Sequence, residues 1–212
     1  MKIAPAIVSA AALLAAGCSG TAPQLRGAPD RGMAAVLVSG RFIAPSGETQ
    51  SGRLALDLES MPGSSGEIYR LEILPKKNLL YQIEPGNYRL GPTRGIFGSP
   101  HAALTVSIEG KDYRVPWPSD ITDHAVLPAP RKKIVPIGVF EVRLEPALPR
   151  QDPVIHVRLD DSLEARSRMV QDIIHEMMNP ALAPEDRESA IAWSQELQNS
   201  LMELTTSSEP RH

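Results

Sequence analysis

The 212-residue chain is predicted to be mainly β with C-terminal α-structure: an antiparallel β-sandwich of about eight to nine short strands followed by a two-helix hairpin. Two patterns support this prediction. Between residues 33 and 160, apolar and polar residues alternate in short segments separated by Pro, Gly, Ser and Asn, which is typical of strands with one buried face. After residue 160, apolar residues recur at intervals of three and four, which is typical of amphipathic helices.

The first strand is predicted over residues 34–43, and the turn residues 45–48 end it. The alternating apolar positions of the later strands are Leu54, Leu56 and Leu58; Tyr69, Leu71 and Ile73; Leu79, Tyr81 and Ile83; Tyr88 and Leu90; Leu104, Val106 and Ile108; Tyr113 and Val115; Phe140, Val142 and Leu144; and Ile155, Val157 and Leu159. Residues 109–112 are predicted to form a hairpin turn. The Pro-rich segment 116–136 interrupts the series, and we expect it to cross between sheets or to cover an edge strand.

The helical part begins after residue 160, where Asp161 and Glu164 have the spacing of a capping box. The first helix is predicted to end before Asn179-Pro180, and Pro184 is well placed in the first turn of the second. The apolar positions of the two helices are Leu163, Val170, Ile173, Ile174 and Met177, and then Ala190, Trp193, Leu197, Leu201 and Leu204. These apolar faces either dock onto the sandwich or leave one stripe for a partner.

The N-terminus carries a basic residue, Lys2, followed by an uncharged apolar stretch over residues 3–16. Small residues then lead into the sole cysteine in the run Leu14-Ala15-Ala16-Gly17-Cys18. An apolar run of about fourteen residues is too short to span about 30 Å of hydrocarbon as a helix, but it suits a secretory signal. This segment resembles the signal peptide and lipobox of bacterial lipoproteins.

The resemblance implies that Cys18 is lipidated and becomes the first residue of the mature protein. Acyl chains on Cys18 would anchor the protein to a membrane. In Gram-negative members of the family an Asp after the Cys favours the inner membrane. This chain has Ser19 there, so the resemblance favours the outer membrane, facing the periplasm. The expected organisation is a signal peptide (1–17), a lipidated flexible tether (18–32), a β-sandwich domain (33–160), a helical hairpin (161–204) and a flexible tail (205–212).

The amino-acid composition of the chain argues against several classes of function. The net charge is −3, so the chain has no basic excess with which to bind nucleic acid. A single cysteine cannot form an intramolecular disulfide, and stability must come from a packed core. Aromatic residues make up 4% of the chain, too few to suggest the aromatic platforms of many sugar-binding proteins. We expect no cofactor and no bound metal, and the composition leaves the oligomeric state open.

No segment carries a complete catalytic motif. His175-Glu176 is followed by Asn179 where a zinc protease of the HExxH type requires a second histidine. Asp120, Asp123 and His124 are a polar cluster that could transfer protons, although no nucleophile accompanies them. An envelope hydrolase whose site assembles on folding is therefore an alternative. A small-ligand carrier is a third possibility, and it requires an open apolar cavity.

The favoured hypothesis is a non-catalytic envelope lipoprotein that binds or assembles with another envelope protein or a wall polymer. Candidate contact residues are apolar side chains in loops and on the hairpin, where an exposed aromatic or Met can serve a partner. They are Ile96, Phe97, Trp117, Met169, Met177, Met178 and Trp193. For Trp117, capping of the core is the competing interpretation.

Overall fold

The computed structural model describes residues 32–63, 66–92, 103–118, 121, 126–146, 151–178 and 184–207. Ten strands precede two helices in this part of the chain. The strands are β1 (Ala34–Ile43), β2 (Arg53–Ser60), β3 (Ile68–Ile73), β4 (Asn78–Ile83), β5 (Gly86–Gly91), β6 (Ala103–Ile108), β7 (Lys111–Pro116), β8 (Leu127–Ala129), β9 (Ile134–Leu144) and β10 (Ile155–Asp160). The helices are α1 (Leu163–Met177) and α2 (Pro184–Ser207). The predicted class, a β-sandwich followed by a helix pair, is confirmed.

The strands form two sheets. Sheet one has the order β10-β9-β1-β4, and sheet two has the order β7-β6-β2-β5-β8 with β3 paired to β2. The Pro-rich segment contributes edge strand β8, which pairs with β5, and the chain then enters sheet one as β9. The predicted hairpin between β6 and β7 is also present. Its central residues, Glu109 and Gly110, have φ values of 52° and 79°, the positive pair that a type I′ turn requires.

The alternating apolar residues face one another between the sheets, as their period of two requires. Phe42, Tyr81, Tyr88 and Phe140 are the largest side chains of this core, and each is at most 1% exposed. The Tyr81 hydroxyl donates to the Glu72 carbonyl at 2.6 Å, and the Tyr88 hydroxyl donates to the Glu84 carbonyl at 2.6 Å. The phenols are therefore buried with their polar ends satisfied.

One pairing departs from the antiparallel expectation, because β1 and β9 run parallel. The register between them shifts at Leu37/Val38, where Ile137 is an extra residue on β9. Gly138 follows with a φ of 147°, and a Cβ there would lie 2.6 Å from the Asp160 carbonyl oxygen. A glycine is therefore needed at this bulge. β9 starts at Ile134 and contains Pro136 beside the bulge, a position in a sheet where proline is tolerated.

The helix pair forms a third layer on the outer face of sheet one. A second core there joins Ala35, Leu37, Leu80 and Ile134 to side chains of both helices. This explains why the first half of β1 is buried on both faces. The N-cap of α1 is Ser162, one residue after the predicted Asp161, and its hydroxyl accepts the Ala165 N–H at 3.2 Å.

The second helix is longer than predicted. It ends at Ser207 and so includes Thr205, which the sequence pattern places in a flexible tail. The hydroxyls of Thr205 and Thr206 donate to the Met202 carbonyl at 2.9 and 2.7 Å. Because these hydrogen bonds satisfy the hydroxyl groups within the helix, the helix continues through this polar segment.

Candidate interaction surface

The buried face of the hairpin is built around one tryptophan. Trp193 and Leu197 of α2 are fully buried and pack with Met169, Val170 and Ile173 of α1. The predicted apolar stripe of α2 is thus the face that docks onto sheet one. Of the two interpretations of the hairpin, docking onto the sandwich is therefore the one that applies to this apolar stripe.

Polar contacts hold the hairpin at several points. Asn78 at the start of β4 donates to Glu176 near the end of α1 at 3.3 Å. Lys133, just before β9, forms an ion pair with Glu203 of α2. The buried Ser200 hydroxyl donates to the Ile134 carbonyl at 3.3 Å. Together with the apolar core, these contacts fix which face of α2 points outward.

The outward face of α2 carries apolar residues that the sequence patterns did not single out. Ile191 is 67% exposed and Met202 is 58% exposed. With the exposed Gln195 and Gln198 they follow the spacing i, i+4, i+7, i+11 on the side opposite Trp193. We call Ile191, Gln195, Gln198 and Met202 the outer stripe. The sequence pattern that could have revealed this face is an Ile and a Met that lie off the main apolar stripe of the same helix.

The helical layer is acidic. Residues 163–207 contain eight Asp or Glu and three Lys or Arg, which gives a net charge of −5 in a chain whose total is −3. Glu188 and Glu203 are exposed on α2, and Glu164, Asp172 and Glu176 are exposed on α1. The exposed basic residues of the two helices are Arg168, which pairs with Glu164 at 2.7 Å, and Arg187. The outer stripe itself contains no charged residue.

The structure places the predicted contact residues in different environments. Met169 (1% exposed) and Trp193 (0%) are buried in the helix–sheet core, so assigning them to a binding surface is corrected: their apolar bulk packs the hairpin onto sheet one. Met177 is half-buried and packs against the same core, whereas Met178, the C-cap of α1, is 77% exposed. Trp117 is half-buried against the inter-sheet core, in agreement with the capping interpretation.

Several predicted residues lie outside the described part of the chain. They are Cys18, Ile96 and Phe97, together with the polar cluster Asp120, Asp123 and His124. Lipidation of Cys18 and a hydrolase site at that cluster therefore remain predictions. Within the described ranges, no three His, Cys, Asp or Glu residues are grouped so that they could hold a metal ion.

A cleft of about 490 Å³ lies between α1 and the second half of β1. Its lining is mixed in charge and includes Arg41, Lys76, Asp160 and Asp172. Hydrogen bonding from Ser162 lowers the pKa of Asp160, and Arg158 and Arg41 act in the same direction. Because charged groups line it, this cleft differs from the apolar cavity that the carrier hypothesis requires.

Two carboxylates are buried on the outer face of sheet two, where the alternation predicted exposed residues. Asp57 is 1% exposed and contacts Arg70, and Glu59 is 6% exposed and contacts Arg89. Both pairs join adjacent strands, Asp57 to Arg70 across β2 and β3 and Glu59 to Arg89 across β2 and β5. Each buried carboxylate is thus paired with a cross-strand arginine whose own side chain still reaches water, being 35% exposed for Arg70 and 63% for Arg89.

The chain shows little similarity to known proteins. No protein-family model matches the chain, and no curated protein sequence is similar to it. Among solved structures it is similar to a "putative cell adhesion protein" from Bacteroides ovatus ATCC 8483, with 11% sequence identity and a TM-score of 0.25. The similarity covers 61% of this chain and 44% of that protein. A TM-score this low supports no conclusion about fold or function.

None of the helices in the described ranges is long and apolar enough to cross a bilayer. The candidate site is the outer face of the helical hairpin, with the outer stripe of α2 at its centre. It offers apolar and amide side chains on a rigid helix that an apolar core and several polar contacts hold in place. Such a surface suits binding by packing and hydrogen bonding.

Proposed function

We propose that the protein is a lipid-anchored envelope module, held by Cys18 in the outer membrane facing the periplasm, that binds another envelope protein through its helical hairpin. The proposal combines two independent features. The anchor rests on the resemblance of residues 1–18 to a lipoprotein signal peptide. The binding role rests on the outer stripe of α2.

The exposure of Ile191 and Met202 is the observation that carries the binding role. Single exposed apolar residues are common on protein surfaces. Here, however, two large ones share the outward face of one helix with two amides and with no charge between them. Apolar side chains so arranged can be buried against a complementary surface, and a few well-buried side chains commonly carry most of a binding free energy.

The anchoring half is tested by mass spectrometry of the membrane-extracted full chain. We expect an N-terminal peptide that begins at Cys18 and carries acyl chains, and we expect Cys18→Ser to abolish acylation and membrane retention. Cleavage elsewhere, or an unmodified Cys18 thiol, would contradict the anchor. This measurement does not depend on any partner.

The binding half requires substitutions rather than removal of the hairpin. A chain ending before Asp161 would uncover Ala35, Leu37, Leu80 and Ile134, which the helices now bury, so lost binding could reflect misfolding. Crosslinking of the membrane-anchored full chain should instead compare the wild type with Ile191→Ser/Met202→Ser. The matched control is Val154→Ser, which removes an apolar residue that is 53% exposed beside β10.

We expect the double substitution to reduce crosslinking to a specific envelope protein about tenfold or more, since truncated hot-spot residues commonly cost more than about 1 kcal/mol each. The control should leave the yield unchanged. If the wild type crosslinks to no specific protein, the binding role is wrong. If the control loses the partner equally, the effect is not specific to the outer stripe and the binding role assigned to it is wrong.

A further inference from the structure

We infer that the outer stripe of α2 binds a basic amphipathic helix of the partner protein. This inference rests on the proposed function and specifies the chemistry of what the hairpin binds. Three observations carry it: the spacing of the stripe, the amides within it and the charge around it.

The spacing favours a helix as the occupant. Successive intervals of four, three and four residues are those of a coiled-coil seam, in which side chains of one helix insert between those of another. From Ile191 to Met202 the stripe is about 16 Å long at about 1.5 Å of rise per residue, or about three helical turns. A helix can follow this straight, narrow surface along its whole length.

The amides favour a partner with polar side chains at the centre of the contact. Gln195 and Gln198 lie between the two apolar ends of the stripe. The Gln195 side chain donates to Asn199 at 3.2 Å, and its carbonyl oxygen can still accept a hydrogen bond. Amides at seam positions fix the register of a partner helix.

The charge decides between a second copy of this chain and a different protein. The helical layer carries a net charge of −5, so two copies that met through this face would bring like charges together. At one end of the stripe Glu203 is already paired with Lys133, and at the other end Glu188 stands beside Arg187. The excess negative charge therefore belongs to the helical layer as a whole. Lys or Arg residues along the edges of a partner helix would complement this negative charge.

A photocrosslinking amino acid placed at Gln198 of the membrane-anchored full chain tests the inference. Sequencing of the crosslinked peptide by mass spectrometry identifies the segment that contacts the stripe. We expect a helical segment of another envelope protein with apolar residues at heptad spacing and flanking Lys or Arg. A peptide from α2 of a second copy, or a segment without basic residues, overturns the inference.

Charge reversal provides a second readout. Glu188→Lys should reduce the crosslink yield about fivefold, because it places a cation beside the basic helix. The matched control, Glu109→Lys, makes the same change of net charge at the β6–β7 turn in sheet two, which sheet one separates from the helices. Both sites are exposed, and equal thermal unfolding midpoints would show that both variants fold.

The outcomes separate the inference from the proposed function. Equal yields for the two reversals would overturn the basic partner while leaving binding through the hairpin intact. A photocrosslink at Gln198 that is lost in Ile191→Ser/Met202→Ser and in Glu188→Lys, but kept in Glu109→Lys, would support both. Absence of any protein crosslink at Gln198 would count against both.

Discussion

Asp57 and Arg70 lie directly opposite each other on β2 and β3, and the Arg70 Nε donates to Asp57 Oδ1 at 3.2 Å. The carboxylate is 1% exposed, whereas the arginine side chain is 35% exposed. The pair therefore joins a buried charge to one that still reaches water, which lowers the cost of burying the carboxylate. It also ties β3 to the central strand of sheet two.

Removal of the arginine should destabilise the protein more than removal of an exposed one. We expect Arg70→Ala to lower the free energy of unfolding by about 1–3 kcal/mol, because a buried carboxylate loses a charged donor. The control is Arg53→Ala, which breaks an exposed pair with Glu72 on the same two strands and should cost about 0–1 kcal/mol. Denaturant unfolding monitored by circular dichroism measures both. Equal losses would contradict the role of burial.

Truncation at the centre of the helix–sheet core should be severe. We expect Trp193→Ala to lower the free energy of unfolding by about 3–5 kcal/mol, because it leaves a large cavity between α2 and sheet one. Gln195→Ala, two residues away on the exposed face, should change it by less than about 0.5 kcal/mol. Thermal and denaturant unfolding of the full chain test this prediction. A small effect at Trp193 would mean that the helices contribute little to stability.

The bulge in β9 should tolerate no side chain. Gly138→Ala is expected to cost about 1–3 kcal/mol, because φ is positive and the new Cβ would meet the Asp160 carbonyl. Gly47→Ala separates the two causes, since Gly47 also has a positive φ (84°) but its new methyl group would have no neighbouring atom within 4 Å. It should cost less than Gly138→Ala in the same unfolding assay. The reverse order would show that the close approach in β9 relaxes freely.

Acid should remove the stabilising effect of Asp160. Its pKa is lowered from 3.8 on folding, so the charged form stabilises the folded state above that pH, and the contribution is lost as the pH falls through the lower folded value. Asp160→Asn should therefore be less stable than the wild type at neutral pH, and the difference should shrink as the pH falls below about 5. Unfolding free energies across this range test it. A difference independent of pH would show that packing, not charge, matters at Asp160.

The strands were predictable because their alternation is local. Leu54, Leu56 and Leu58 face the inter-sheet core as the period of two requires, and the turn residues between segments set the strand ends. The pairing and direction of the strands were harder to predict from the sequence. The parallel partner of β1 is β9, about 100 residues later in the chain, and an alternating pattern carries no information about strand direction.

The candidate surface was predicted only in part. The hairpin and its main apolar stripe follow from helical spacing, but that stripe proved to be the docking face. The exposed residues Ile191 and Met202 were not distinguishable from core residues until the orientation of α2 was known. Likewise, the burial of Asp57 depends on the strand register that brings Arg70 opposite it.

The sequence by itself therefore determined the class of the fold, the order of the two helices and of every described strand except β8, and the features of residues 1–18 that resemble a lipoprotein signal. These follow from local patterns of apolar residues, prolines and glycines. Only the tertiary structure decided which helix face is covered, which carboxylates are buried and which apolar side chains stay exposed for a partner. Those properties depend on contacts between residues far apart in the chain, whose geometry exists only once sheet one and the hairpin have packed together.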